Sequence, residues 1–161
     1  MRSLFLILLL AAGVARADAD PRGLWLTASG NLEVRIAPCG GAALCGKVER
    51  VIANQSMSRP GEAMAADAQP ARVGMDILTD FVAAERETTP DGRSVVTAWR
   101  GRIFNRESGK TYDCLMSLGE AGELTLRAYV GLPLFGKTQA WRRVQRCRPG
   151  GERAACDNPA P

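Results

Sequence analysis

From Trp99 to Val144 the chain is a succession of alternating apolar and polar segments separated by short turns. Period-two alternation puts successive side chains on opposite faces of an extended strand. Two of the turns read Gly109-Lys110-Thr111 and Gly136-Lys137-Thr138, and the stretch closes on Trp141-Arg142-Arg143-Val144. A chain written this way builds an antiparallel meander.

The same pattern extends upstream. Gly23 to Thr27 reads as a strand, and Ser29-Gly30-Asn31 as a turn. Leu32, Val34 and Ile36 alternate with Glu33 and Arg35, and Leu44 to Ile52 pairs naturally with them. Further strands are expected over Asp76 to Val82, Val95 to Phe104, Thr111 to Leu118, Glu123 to Val130 and Thr138 to Arg146. Pro90-Asp91-Gly92 marks a turn. Asn54 to Val73 keeps no period and contains Pro60, Gly61 and Pro70, so a long surface loop is expected, with a helical turn around Glu62 to Asp67. About eight strands with almost no helix imply an all-β fold, most simply an up-and-down antiparallel β-barrel. Barrels of that size can hold one small ligand.

Residues 1–17 read as a secretory leader and not as part of the fold. Arg2 is followed by an apolar run from Leu4 to Ala12 and by Ala15-Arg16-Ala17, a small-x-small cleavage pattern. Removal of those 17 residues takes Arg2 and Arg16 with it, so 161 residues become 144 and a net charge of +4 becomes +2. A balance so close to neutral gives no reason to invoke nucleic acid as a partner. The barrel domain is expected over 18–147, followed by a disordered tail at 148–161 rich in Pro, Gly and small polar residues. The expected compartment is the periplasm or the exterior of a bacterium, with no transmembrane segment.

Export permits disulfides. Cys39 and Cys45 flank Gly40-Gly41, a turn that brings two strand ends together. Cys147 and Cys156 flank Pro149-Gly150-Gly151 and are expected to staple the tail. Cys114 is left over, and its parity with Tyr112 and Met116 marks it as a small buried hydrophobe.

The chain contains no histidine. This removes Ser-His-Asp and Cys-His catalysis, together with imidazole-based zinc sites. No metal and no cofactor is expected. Gly131-Leu132-Pro133-Leu134-Phe135-Gly136-Lys137-Thr138 fits the P-loop pattern letter for letter. A P-loop needs a helix after its Thr to receive phosphate. Here Gln-Ala-Trp-Arg-Arg-Val follows and reads as a strand, so the octet is read as a hairpin loop. Asp76 with Asp80, and Glu85 with Glu87, are expected to be exposed rather than paired for acid–base work. The basic run Arg142, Arg143, Arg146, Arg148 and Arg153 is read as a solvated edge that suppresses edge-to-edge pairing, with an interaction with anionic lipid or surface polymer as the alternative.

Taken together, several of these segments carry a resemblance. Gly23-Leu24-Trp25-Leu26-Thr27, Cys39-Gly40, Leu44-Cys45-Gly46, Gly101-Arg102-Ile103-Phe104-Asn105, Gly109-Lys110-Thr111-Tyr112 and Tyr129-Val130-Gly131 through Trp141-x-Arg143 recur in that order. The chain resembles an exported bacterial family, domain of unknown function 2147, from about Gly23 to Val144. Arg106 and Ala128 depart from its pattern, standing where Pro and Gly are usual, and the segment Ala66 to Val73 is shorter than usual. The resemblance implies a lipocalin-like barrel and no established activity. Gly23-x-Trp25 also looks like the lipocalin signature, which implies that Trp25 packs against an Arg of the last strand, Arg142 or Arg143.

The functional expectation is an exported, non-catalytic binding module for a small, mostly apolar ligand. Trp99, Arg102, Tyr112, Tyr129 and Trp141 are the expected ligand contacts, since pockets combine aromatic rings with a few polar groups. The alternative is a solid barrel that binds an envelope protein through an outer face or the Asn54 to Val73 loop. An interior of bulky residues favours the alternative; small residues lining a void favour the ligand.

Overall fold

The computed structural model describes residues 20–65 and 69–145. The leader at 1–17, the Cys147–Cys156 bridge and the tail at 148–161 lie outside the described residues. Eight strands run in chain order around a closed antiparallel barrel. They are β1 (Gly23–Leu26), β2 (Leu32–Gly40), β3 (Ala43–Val51), β4 (Asp76–Thr88), β5 (Ser94–Asn105), β6 (Lys110–Leu118), β7 (Leu124–Tyr129) and β8 (Lys137–Arg143). A single 3-10 turn, Pro133–Phe135, joins β7 to β8. No helix of the described residues is long and apolar enough to cross a membrane.

Closure rests on a narrow seam. β1 meets β8 through two register pairs, Trp25 with Arg143 and Leu26 with Arg142. The seam is reinforced by side chains. The Arg143 guanidinium lies 4.2 Å from the Trp25 ring centroid. It also donates to the carbonyls of Arg22 at 2.8 Å and Asp20 at 2.6 Å, and Trp25 Nε1 donates to Pro21 O at 2.8 Å. Of the two arginines the sequence offered, Arg143 is the one that packs on Trp25. Gly23 is needed here: its φ is +128°, and an added Cβ would stand 2.8 Å from Arg143 Nη1.

Alternation fills the interior. Trp25, Val34, Ile36, Val48, Leu78, Phe81, Cys114, Met116, Leu124, Leu126 and Trp141 are all essentially inaccessible and form one core with Trp99 and Ile103. β4 departs from strict alternation. A bulge between Thr79 and Val82 places Asp80 at φ 58°, so that Phe81 rather than Asp80 turns inward with Leu78. The neighbouring strands make room with glycine. A Cβ on Gly101 of β5 would fall 2.6 Å from the Phe81 ring, and one on Gly46 of β3 would fall 3.0 Å from Leu78. Buried Cys114 has its thiol pushed up to about 12, chiefly by desolvation, so at neutral pH it is an inert thiol.

The β4–β5 ribbon is longer than expected. β4 continues past Val82 to Thr88, paired with β5 through further register shifts. Residues 82–88 are exposed on both faces, so they show no alternation of hydrophobicity. The β3–β4 connection also differs from a plain surface loop. Its described residues fold over the end of the barrel opposite the start of β1, burying Ser56 and Met64. Asn31, itself buried, donates from Nδ2 to Gln55 O and accepts from Gln55 N. Buried Arg106 donates to Asn54 Oδ1 and Gln69 O. Glu62 to Ala65 is not helical, and Asp67 lies outside the described residues.

Glu107, in the β5–β6 turn, fastens this cover. Its carboxylate accepts from the Ser56 hydroxyl, the Ser58 hydroxyl, and the amides of Met57 at 3.0 Å and Ser58 at 3.1 Å. The Ser56 hydrogen bond is the largest of the effects that hold this carboxyl below its usual range. A group whose folded pKa is lowered contributes above its unfolded value, and the contribution is lost as pH falls through the folded one. The Met57 and Ser58 amides should therefore exchange far more slowly than unprotected amides at neutral pH, and should approach the fast exchange of unprotected amides at the same pH only below about pH 4, the ordinary carboxylate range. Glu107→Gln should show the fast exchange already at pH 7; unchanged exchange would mean the carboxylate does not hold the cover.

The glycine contacts generate a second expectation. Gly101→Val forces a branched side chain into the Phe81 ring and should cost about 1–3 kcal/mol, in the range for overpacking a filled core. Urea unfolding followed by tryptophan fluorescence checks it, and Arg100→Val, on the outer face of the same strand, is the control.

Candidate functional site

The end of the barrel where β1 begins is left partly open. There the β4–β5 ribbon runs past the first residues of β3 and past the last residue of β6, since β5 pairs with β6 only from Ala98 onward. The lead-in Asp20–Arg22 is pinned on the other side by Trp25 and Arg143. Between them lies a cleft of about 530 Å³. Pro38 and Leu44 come from the β2–β3 hairpin, Val95, Val96 and Trp99 from β5, and Asp20, Arg22, Arg93 and Ser94 supply polar groups. A cleft of this size suits a small molecule.

The polar groups are mutually engaged. Asp20 accepts from Arg22 Nε at 2.7 Å and forms an ion pair with its Nη2 at 2.5 Å. Burial opposes its charge, but the Arg22 hydrogen bonds and the Arg22 and Arg143 charges outweigh it, so its carboxyl is held low. Arg93 forms an ion pair with Asp91 at 2.7 Å. The wall carrying Pro38 and Leu44 is stapled by the expected Cys39–Cys45 bridge, whose Cα atoms are 5.6 Å apart.

The five contacts expected from sequence do not converge. Trp99 is nearly buried and lines the cleft. Trp141 is sealed in the core, its Nε1 donating to Gln139 Oε1 at 3.2 Å. Tyr112 is partly buried towards the covered end, its hydroxyl 3.4 Å from Ser108 Oγ. Tyr129 is buried at the end of β7, opposite Asp113 and outside the central core. Arg102 stands on the outer face, exposed and ion-paired with Asp80, because inward parity on β5 belongs to Trp99, Gly101 and Ile103. Alternation separates in from out but cannot say which inward ring meets an opening. Pro38, Leu44, Val95 and Val96 were not singled out from sequence, and their one signal is proximity to hairpin turns.

Asp76 and Asp80 are separated by their partners, and Glu85 and Glu87 stand exposed on the β4–β5 ribbon. Asp76 accepts from Lys47 at 2.6 Å while Asp80 engages Arg102. Among the described residues no three Cys, Asp or Glu side chains converge as a metal site would need. The Gly131–Thr138 octet forms a 3-10 turn, and Thr138 enters β8 rather than a helix.

The model of a family described as an uncharacterized protein conserved in bacteria, DUF2147, matches residues 23–143. The chain belongs to this family. The match runs from the glycine that admits Arg143 to Arg143 itself, so it spans the closed barrel. Among solved structures the chain is similar to a Helicobacter pylori protein, HP1028, whose structure is described as belonging to the lipocalin family. The TM-score is 0.50 at 16% identity, with 78% of this chain and 84% of that one covered. At that identity the likeness concerns the fold: this DUF2147 member is a lipocalin-like barrel. No curated protein matches the chain.

The staple offers a test of the cleft wall. Cys39→Ser with Cys45→Ser should lower stability by about 2 kcal/mol, the loop-closure value for so short a loop. Its largest rise in amide exchange should fall on the β2–β3 hairpin. A loss spread evenly over the barrel would show that the bridge does not shape the cleft.

Proposed function

We propose that this family member is an exported, non-catalytic barrel that binds a small, mostly apolar ligand at the open end, with Trp99 as the principal contact. The observation that carries the reading is the cleft of about 530 Å³ in which Trp99, Leu44, Val95 and Val96 meet a polar margin. Apolar burial would supply affinity, and Asp20, Arg22 or Ser94 would fix orientation. The leader pattern at 1–17 and the Cys39–Cys45 bridge both support an extracytoplasmic location. The ligand belongs to the mouth and not to the middle, because Trp25, Trp141, Phe81 and Met116 occupy the middle.

That filled middle also favours a second reading, a solid barrel acting as a protein-interaction domain of the envelope. The two part on one experiment. Native mass spectrometry of the full chain, purified from an oxidising compartment, should show excess mass that disappears on denaturation. Val96→Arg, which fills the cleft from a partly exposed position, should abolish that excess while leaving the melting temperature within a few degrees. A clean apo mass from repeated preparations would leave the interaction domain as the reading.

A further inference from the structure

The β7–β8 turn presents an apolar surface that the cleft does not account for. Val130, Leu132, Leu134 and Phe135 are 75%, 63%, 77% and 79% exposed. From Val130 to Gly136 no side chain carries a nitrogen, oxygen or sulfur atom. Contiguous exposed apolar surface of this kind marks an interaction site.

The turn is also built to hold this shape. Arg127 reaches under it, donating from Nε to Pro133 O at 2.5 Å and from Nη2 to Leu134 O at 2.8 Å. Leu132 N donates to Val130 O, Phe135 N to Leu132 O and Gly136 N to Pro133 O. Gly136 admits no side chain, because a Cβ would fall 2.6 Å from Ala128 O. Four of the six carbonyls from Val130 to Phe135, those of Val130, Leu132, Pro133 and Leu134, are thus satisfied within the hairpin. A protein partner does not require that, since it can supply donors of its own. Hydrocarbon supplies none, and backbone entering it must be satisfied internally.

Charge and shape point the same way. The turn is the convex tip of a hairpin whose outer strand meets β1 only at Arg142 and Arg143. No Asp or Glu occurs between Glu123 and Glu152. Lys137 borders the tip, and Lys110 is exposed on the adjoining β5–β6 hairpin at the same end. Glu107, held by Ser56 and Ser58, and Asp113, opposite Tyr129, are the nearby acids, and three cations, Lys110, Arg127 and Lys137, outnumber them around the tip. A specific protein interface carries about one hydrogen bond per 100–200 Å² to fix register, and this tip has no side chain to make one. Apolar residues flanked by lysines match an anionic bilayer surface.

We infer that the β7–β8 turn docks on anionic lipid bilayers, inserting Leu132, Leu134 and Phe135 below the headgroups. The site is independent of the cleft and lies at the opposite end of the barrel.

Flotation of the full chain with vesicles tests this. Vesicles containing about a third phosphatidylglycerol should carry the protein, and pure phosphatidylcholine vesicles should carry at least several-fold less. Leu134→Ser with Phe135→Ser should lower partition at least tenfold without changing the far-UV spectrum, since neither side chain is buried. Phe135→Trp should give emission that shifts to the blue with vesicles and is quenched by acyl-chain bromine. The inference is overturned by failure of the wild type to float, by equal flotation of the serine variant, or by no quenching in the tryptophan variant. A dimer that the serine substitutions dissolve, with no flotation, would overturn it in favour of a second copy of this chain.

Discussion

The stacking of Arg143 on Trp25 is the contact on which the barrel depends. β1 has four residues and shares two register pairs with β8, too short a ladder to close a sheet by backbone pairing alone. The guanidinium adds a cation–π contact and two charge-assisted hydrogen bonds to the chain just before β1. Such contacts are worth more when desolvated than at an exposed surface. Gly23 admits the arginine, and Trp25 Nε1 holds Pro21. One side chain from the last strand therefore fixes the first strand and its lead-in, and the lead-in becomes one wall of the cleft.

The second constraint is how the interior is filled. Two tryptophans, Phe81, Met116 and a set of Leu, Ile and Val side chains occupy the space that a larger barrel would leave for a ligand. The β4 bulge makes this packing work by turning both Leu78 and Phe81 inward onto glycines of the adjoining strands. A core packed this way is rigid and transmits strain. The proposed binding is then displaced to the ends. One end is roofed by the β3–β4 connection and fastened by Glu107, and the other is left open by the overlong β4–β5 ribbon.

Much of this was legible in the sequence, for identifiable reasons. Strand order and number follow from alternation that is strongest where one face is buried, as in β2 and β7. The Cys39–Cys45 bridge follows from two cysteines around a Gly-Gly turn, and the rejection of the P-loop from the strand after Thr138. The stacking partner of Trp25 was narrowed to two arginines, because sequence alone does not set the β1–β8 register. The far half of β4 was missed because residues exposed on both faces have no periodic signal. The cover formed by residues 52–65 and 69–75 was read as a loop because its order comes from side chains far away in sequence, Asn31, Arg106 and Glu107. Trp99, Tyr112 and Trp141 share the barrel's inner face, yet only Trp99 reaches the cleft; depth along the axis is invisible to a pattern that reports only in or out.

We propose that the barrel is solid and binds at its mouth. Amide and indole chemical-shift mapping tests it most directly, with a long-chain fatty acid as the probe. Saturable shifts are expected at Trp99 Nε1, at Val95 and Val96 and along Pro38 to Leu44, with the Trp141 indole and the amides of Met116 and Leu126 unmoved. Shifts centred on Trp141, Met116 and Leu126 would mean that the interior opens to admit a ligand, and would contradict binding at the mouth of a solid barrel.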